Sequence, residues 1–227
     1  MTMTRTVVAL SFGILTAGLM LAAPAQAAPE AKAAAPEAKA ATAPTISAAD
    51  LKNGMRKLWT DHTTYTRAYI VSAVAGLPDL PTVTQRLLRN QDDIGAAIKP
   101  IYGEEAGKKL AALLRDHILV AADIVKAAKA NDSKGVDAGE KKWHKNADDL
   151  AALLAGANPN WKKPALTDML YKHLDFVTKQ AVARIKMDWP GDIQAYDQGY
   201  EHMMMFADML SDGIIKQNPR KVIISER

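Results

Sequence analysis

Four histidines supply the chemistry this chain could do. His62, His117, His173 and His202 each sit near the middle of a segment with helical periodicity, on or beside its apolar stripe. Around His62 the stripe reads Leu51, Met55, Leu58, His62, Tyr65 and Tyr69, with Trp59 and Thr66 beside it. Around His117 it reads Leu110, Leu113, Leu114, Ala121 and Ile124; around His173, Met169, Leu170, Val177 and Ala181. His202 lies at the edge of a stripe of Ile193, Tyr196, Tyr200, Met203, Phe206, Ala207, Leu210 and Ile214. In antiparallel helices of similar length, central residues share a layer. Four imidazoles in one layer could converge on a transition metal, copper or zinc, at about 2.0–2.2 Å per nitrogen. The other reading is that each ring is neutral core, hydrogen-bonded to a neighbour such as Tyr65, Thr66, Tyr196 or Asn146. His144, next to Trp143, falls on the solvent side and outside the set.

Other chemistries find fewer residues. A carboxylate-bridged di-iron centre needs inward glutamates and Glu-x-x-His pairs, which the apolar faces lack. Asp197, Glu201 and Asp208 line one face of the last helix and read as a solvated acidic face. Met203, Met204, Met205 and Met209 suit copper(I), but three consecutive methionines on a helix point three ways and read better as core. Haem held between two helix histidines is a further reading. No Gly-x-Ser-x-Gly, phosphate-binding glycine loop, dinucleotide fingerprint or His-Glu-x-x-His occurs. With 0 cysteines, thiolate sites and covalent haem attachment are excluded.

The elements that must position these histidines are helices. The 227 residues are 48% hydrophobic and 24% charged, enough for one domain with a core, and Ala, Leu, Lys and acidic residues at 3.6 spacing leave no substantial sheet. Residues 1–27 read as a secretory signal peptide: Arg5, an apolar run from Val7 to Ala23, and the small-x-small site Ala25-Gln26-Ala27. The expected location is the periplasm or beyond the cell. Residues 28–46 are a low-complexity linker in which Ala28-Pro29-Glu30-Ala31-Lys32-Ala33-Ala34 repeats from Ala35 to Ala41. The net charge of +4 falls to about +3 without Arg5, and basic residues are interleaved with acids, so nucleic acid is not the expected partner.

Within the helical domain, 47–219, Ser47 reads as the N-cap of a helix that Gly76 and Pro78 end. Pro81 to Arg89 and Asn90 to Ile98 read as a bent pair of short pieces forming a covering arm, closed by a turn at Pro100 to Gly103. Four more long helices follow: Glu104 to Ala130, Ser133 to Ala155, one from Pro164 fading by Trp189, and Pro190 to Gln217. Residues 220–227 are a short tail. The spacing therefore predicts an all-α, antiparallel up-and-down bundle, with a four-helix core plus additional short helices.

One resemblance adds to this. Leu58-Trp59-x-x-His62-x-x-x-Thr66-Arg67, Leu77-Pro78-Asp79, Arg86-Leu87-Leu88-x-Asn90, Leu113-Leu114-x-x-His117, Trp143-x-x-Asn146-Ala147-Asp148, Asn158-Pro159, His173-Leu174 and Ala207-Asp208-Met209-Leu210 run through most of the mature chain. With these elements the chain resembles a family of small exported bacterial all-helical proteins, some of which carry the label glycosyltransferase. The resemblance implies an exported helical domain. It lends no catalytic residue, and no nucleotide-sugar site or α/β pattern accompanies the label. The functional expectation is an exported, soluble binding bundle with a metal at His62, His117, His173 and His202. A metal-free structural or protein-interaction module of the envelope is the alternative, and an enzyme using buried His and Tyr as acid and base is the third.

Overall fold

The computed structural model describes residues 45–223. The signal peptide and nearly all of the linker read from the sequence lie outside the described residues. Six helices follow in order: α1 Ala48–Ala75, α2 Leu80–Tyr102, α3 Glu104–Lys129, α4 Ser133–Ala157, α5 Lys163–Ile185 and α6 Trp189–Gln217. Each packs against the next, and α6 returns to α1, so an up-and-down series closes into a bundle. The odd-numbered helices run the same way, and α1, α3 and α5 also touch one another across the interior. Ile46–Ser47 (β1) pairs in parallel with Val222–Ile223 (β2), joining the end of the linker to the start of the tail.

Local chemistry sets the helix ends. The Ser47 hydroxyl accepts from the Asp50 amide at 2.9 Å, and Asp132 and Asp188 cap α4 and α6 in the same way through Gly135 and Gly191. Gly76 ends α1 in the left-handed region, φ 67°, while the Leu77 amide reaches back to the Ser72 carbonyl at 2.9 Å. Trp59, Trp143, Trp161, Leu150, Leu166, Leu174, Phe206 and Ile214 lie in the main core.

The covering arm is corrected. α2 is one unbroken helix and an integral wall, with Leu87, Ile94 and Ile98 buried. Asn90 and Gln91, at the expected bend, are fully buried: Asn90 Nδ2 donates to the Leu58 carbonyl at 3.0 Å and Gln91 Nε2 to the Leu87 carbonyl at 2.8 Å. The bundle thus has six long helices instead of five with short outliers.

Helices α2 and α3 approach closely at Gly95 and Gly107. A Cβ on Gly95 would stand 2.6 Å from the Gly107 carbonyl oxygen and 2.7 Å from the Ala111 methyl. Gly95→Ala must push the two backbones apart, and we expect it to cost about 1–3 kcal/mol of unfolding free energy despite alanine's better helix propensity. A urea titration followed by circular dichroism reads this directly; a stabilised variant would contradict the close contact.

Candidate functional site

Three histidines meet at the centre of the bundle because they occupy the middles of its three parallel helices. His62, His117 and His173 fall within about one residue of the midpoints of α1, α3 and α5. His202 is equally central in α6, which runs antiparallel to them. All four are buried, with 2–4% of their surface exposed.

The four rings are not equivalent. His62 Nε2 and His173 Nε2 face each other at 3.4 Å. His117 stacks on His173, with centroids 6.0 Å apart and planes 19° from parallel. His202 stands to one side, its Nε2–H donating to the Met169 carbonyl at 2.8 Å and its ring against Phe176. The expected layer therefore contains His62, His117 and His173 in ring contact, with His202 anchored separately. Aromatic rings enclose it: Trp59 lies edge-on to His62 at 5.4 Å, and Trp143 lies 5.2 Å from His117.

Hydrogen-bond partners assign the protons. Asn146 Nδ2 donates to the Leu113 carbonyl at 2.9 Å, so its Oδ1 accepts from His117 Nδ1–H at 2.8 Å, which leaves a lone pair on His117 Nε2. Gln91 Nε2 donates to the Leu87 carbonyl at 2.8 Å and to Asn90 Oδ1 at 3.2 Å, and the same nitrogen stands 3.4 Å from His62 Nδ1. Between the two facing Nε2 atoms one ring donates and the other accepts, and His173 Nδ1 is buried without a partner.

All three rings are held neutral. Burial pushes His62 down to about 3, with neighbouring His117 adding to the effect and Gln91 opposing it. Burial likewise lowers His117 to about 4 against the Asn146 hydrogen bond. His173 lies well below the usual imidazole value, through burial and then the surrounding histidines.

Two Nε2 atoms 3.4 Å apart suit either one shared proton or one ion, since nitrogens about 2.0–2.1 Å from a tetrahedral metal stand about 3.3–3.4 Å apart. Among the described residues, no three His, Cys, Asp or Glu side chains already stand together as an ion-holding group. Of the suggested histidine partners, Asn146 is used. Tyr65 instead carries the Arg86 guanidinium at 4.2 Å, and Tyr196 that of Arg67 at 4.8 Å. Thr66 Oγ1 has no partner.

His144 is half-buried and not on the open surface: its Nδ1–H donates to the Glu140 carbonyl at 2.9 Å and its ring meets Tyr171 edge-on at 4.7 Å. The methionine run splits three ways, with Met203 buried, Met205 57% exposed, and Met204 accepting from Thr60 Oγ1 at 3.6 Å. Asp197 and Glu201 are exposed, and Asp208 pairs with Arg56 at 2.6 Å.

Two features were not read from the sequence. One is Gln91, hidden because α2 was assigned to the outside. The other is Asp192, 1% exposed, which accepts from Arg67 at 2.9 and 3.2 Å, from Arg184 at 3.3 Å and from Gln180 at 3.3 Å. Its signal was present: Asp192, Ala195, Gly199, His202, Met203 and Phe206 follow one helical stripe, so Asp192 belongs to the buried face. Comparison with protein-family models, with curated proteins and with solved structures finds no match.

Proposed function

We propose that this chain is an exported helical-bundle binding protein that holds one copper or zinc ion among His62, His173 and His117, with His202 beside them. The observation that carries the reading is the 3.4 Å approach of the two Nε2 atoms, the span of two ligands on one ion. Support comes from His117, whose Nδ1–H is fixed by Asn146 while Nε2 keeps its lone pair; metal-bound histidines are oriented this way. The rings are held neutral, so binding releases no net proton. It requires His117 to move in beside His173 and the hydrogen between the two Nε2 atoms to leave that edge.

A second reading rests on the same pair as it stands. One hydrogen shared between the two Nε2 atoms, with Asn146 on His117, makes the layer a hydrogen-bonded core of a structural or interaction module of the envelope. Elemental analysis of untagged protein from its native envelope, and of His173→Ala prepared identically, separates the two. Metal binding predicts about one equivalent of copper or zinc in the parent and under about a tenth of that in the variant. No bound metal, and no uptake when either ion is added, leaves the hydrogen-bonded core.

A further inference from the structure

Lys162, Lys163, Lys216, Arg220 and Lys221 lie in two stretches of sequence, Ala157 to Thr167 and Gly213 to Val222, that contain no Asp or Glu. The fold brings the two together. Gln217 Nε2 donates to the Ala157 carbonyl at 3.0 Å, and the Tyr102 hydroxyl donates to Gln217 Oε1 at 2.8 Å while accepting from Asn158 Nδ2 at 2.9 Å. Gly213 makes room for the Trp161 ring, which a Cβ there would strike. All five cations are exposed, and among the described residues none stands within ion-pair reach of a carboxylate. Acids at this end of the bundle are already matched: Glu104 by Lys99 and Lys108, Glu105 by Lys108, and Asp212 by Lys52. The five cations therefore exceed the net charge of the whole chain, +4, and concentrate it at one pole.

Helix chemistry does not account for this placement. Lys216 suits the negative end of α6, but Lys162 and Lys163 open α5, where the helix dipole opposes a cation and no acid stands in the first turn. The chain also enters the described structure at this pole. The Ile46 amide donates to the Lys221 carbonyl at 3.1 Å, so the sequence that carries the apolar run Val7 to Ala23 upstream joins the bundle beside Lys221.

We propose that this basic pole docks the protein on an anionic membrane surface, with Lys162, Lys163, Lys216, Arg220 and Lys221 among the phosphates of the lipid headgroups. A nucleic acid fits less well, because the two stretches offer no exposed ring on which a base could stack: Trp161, their one aromatic residue, is buried. The docking does not rest on the metal reading. Lys163 precedes His173 by about 15 Å of helix, and no ion takes part.

The test mixes untagged protein recovered from its native host with sucrose-loaded vesicles of phosphatidylcholine, alone or with about a third phosphatidylglycerol, and measures the pelleted fraction. The expected result is saturable binding to the anionic vesicles, at least about tenfold tighter than to the neutral ones, that weakens at least about tenfold when salt rises from about 0.05 to about 0.3 M. At about fivefold per cation, Lys162→Gln with Lys163→Gln should weaken binding about 25-fold, and Arg220→Gln with Lys221→Gln by a similar factor. Lys134→Gln with Lys142→Gln removes the same charge from exposed positions on α4 and should change binding by less than about twofold. Equal binding to both vesicles, or binding that ignores salt, overturns the proposal. An equal loss in the α4 pair also overturns it, because net charge alone would then suffice. So does tighter binding to a DNA duplex at the same salt, which would make the partner a nucleic acid.

Discussion

Replacing Asp192 by alanine will lower the unfolding free energy by about 3 kcal/mol, one of the two largest effects we expect in this protein. The carboxylate is 1% exposed and accepts four hydrogen bonds, two from Arg67, one from Arg184 and one from Gln180. It also sits in the first turn of α6, where a negative charge faces the helix's positive end. Truncation leaves two guanidiniums and an amide without their acceptor. Breaking a buried pair by removing one partner costs about 3–5 kcal/mol. The lower end applies here, because the arginine side chains keep 25% and 23% of their surface and recover some hydration. For a folded region of this size the midpoint of thermal unfolding should drop by roughly 6–12 °C. A loss below about 1 kcal/mol, read from urea titrations with an unchanged slope, would mean that solvent carries the arginines and that α6 needs no anchor at its start.

The ends of the helices were legible in the chain because single residues set them. Ser47 and Gly76 bound α1, and Pro164 and Pro190 stand in the first turns of α5 and α6. The histidine layer was legible because α1, α3 and α5, of 28, 26 and 23 residues, start at the same end of the bundle. Central residues of such helices must meet. What failed did so for one reason: a buried polar residue looks like a surface residue until its partner is known. Asn90 and Gln91 stand where the chain reads as a bend in a covering arm, whereas Asn90 ties α2 to α1 through the Leu58 carbonyl and Gln91, bonded within α2 to Leu87, faces His62. The same error hid Asp192, whose partners Arg67 and Arg184 lie 125 and 8 residues away. Pairing of β1 with β2 could not be read at all, since two residues on each side carry no alternation.

These polar residues also bound what the site can do. Gln91 Nε2 is held by the Leu87 carbonyl and Asn90 Oδ1 with its nitrogen toward His62, so the amide is fixed beside the layer and the hydrogen within the Nε2 pair is what an arriving ion must displace.

Acid should destabilise this protein well before its carboxylates titrate. A histidine in the unfolded chain takes its proton near pH 6.5, while burial holds His62 at about 3 and His117 at about 4 in the folded state. Below pH 6.5 the unfolded chain therefore binds more protons than the native one. Stability is full above that value and falls as the pH drops toward the folded values. At pH 5 each such ring costs about 2 kcal/mol, so the pair costs about 4, and His173 adds to it in the same direction. Against a native stability of about 5–15 kcal/mol this is a large share of the total. Asp208 acts in the same direction but in a lower window: its hydrogen bond to Arg56 holds its folded value below the ordinary carboxylate range, so its contribution is lost only as the pH falls through that range, which leaves the window from 7 to 5 to the histidines. Urea titrations of chelator-treated protein at pH 7.5, 6 and 5 should show a steady loss, and His117→Gln should lessen it by about one proton's worth. A flat profile would show that the folded layer takes up protons itself, which requires water to reach rings that here are 2–4% exposed.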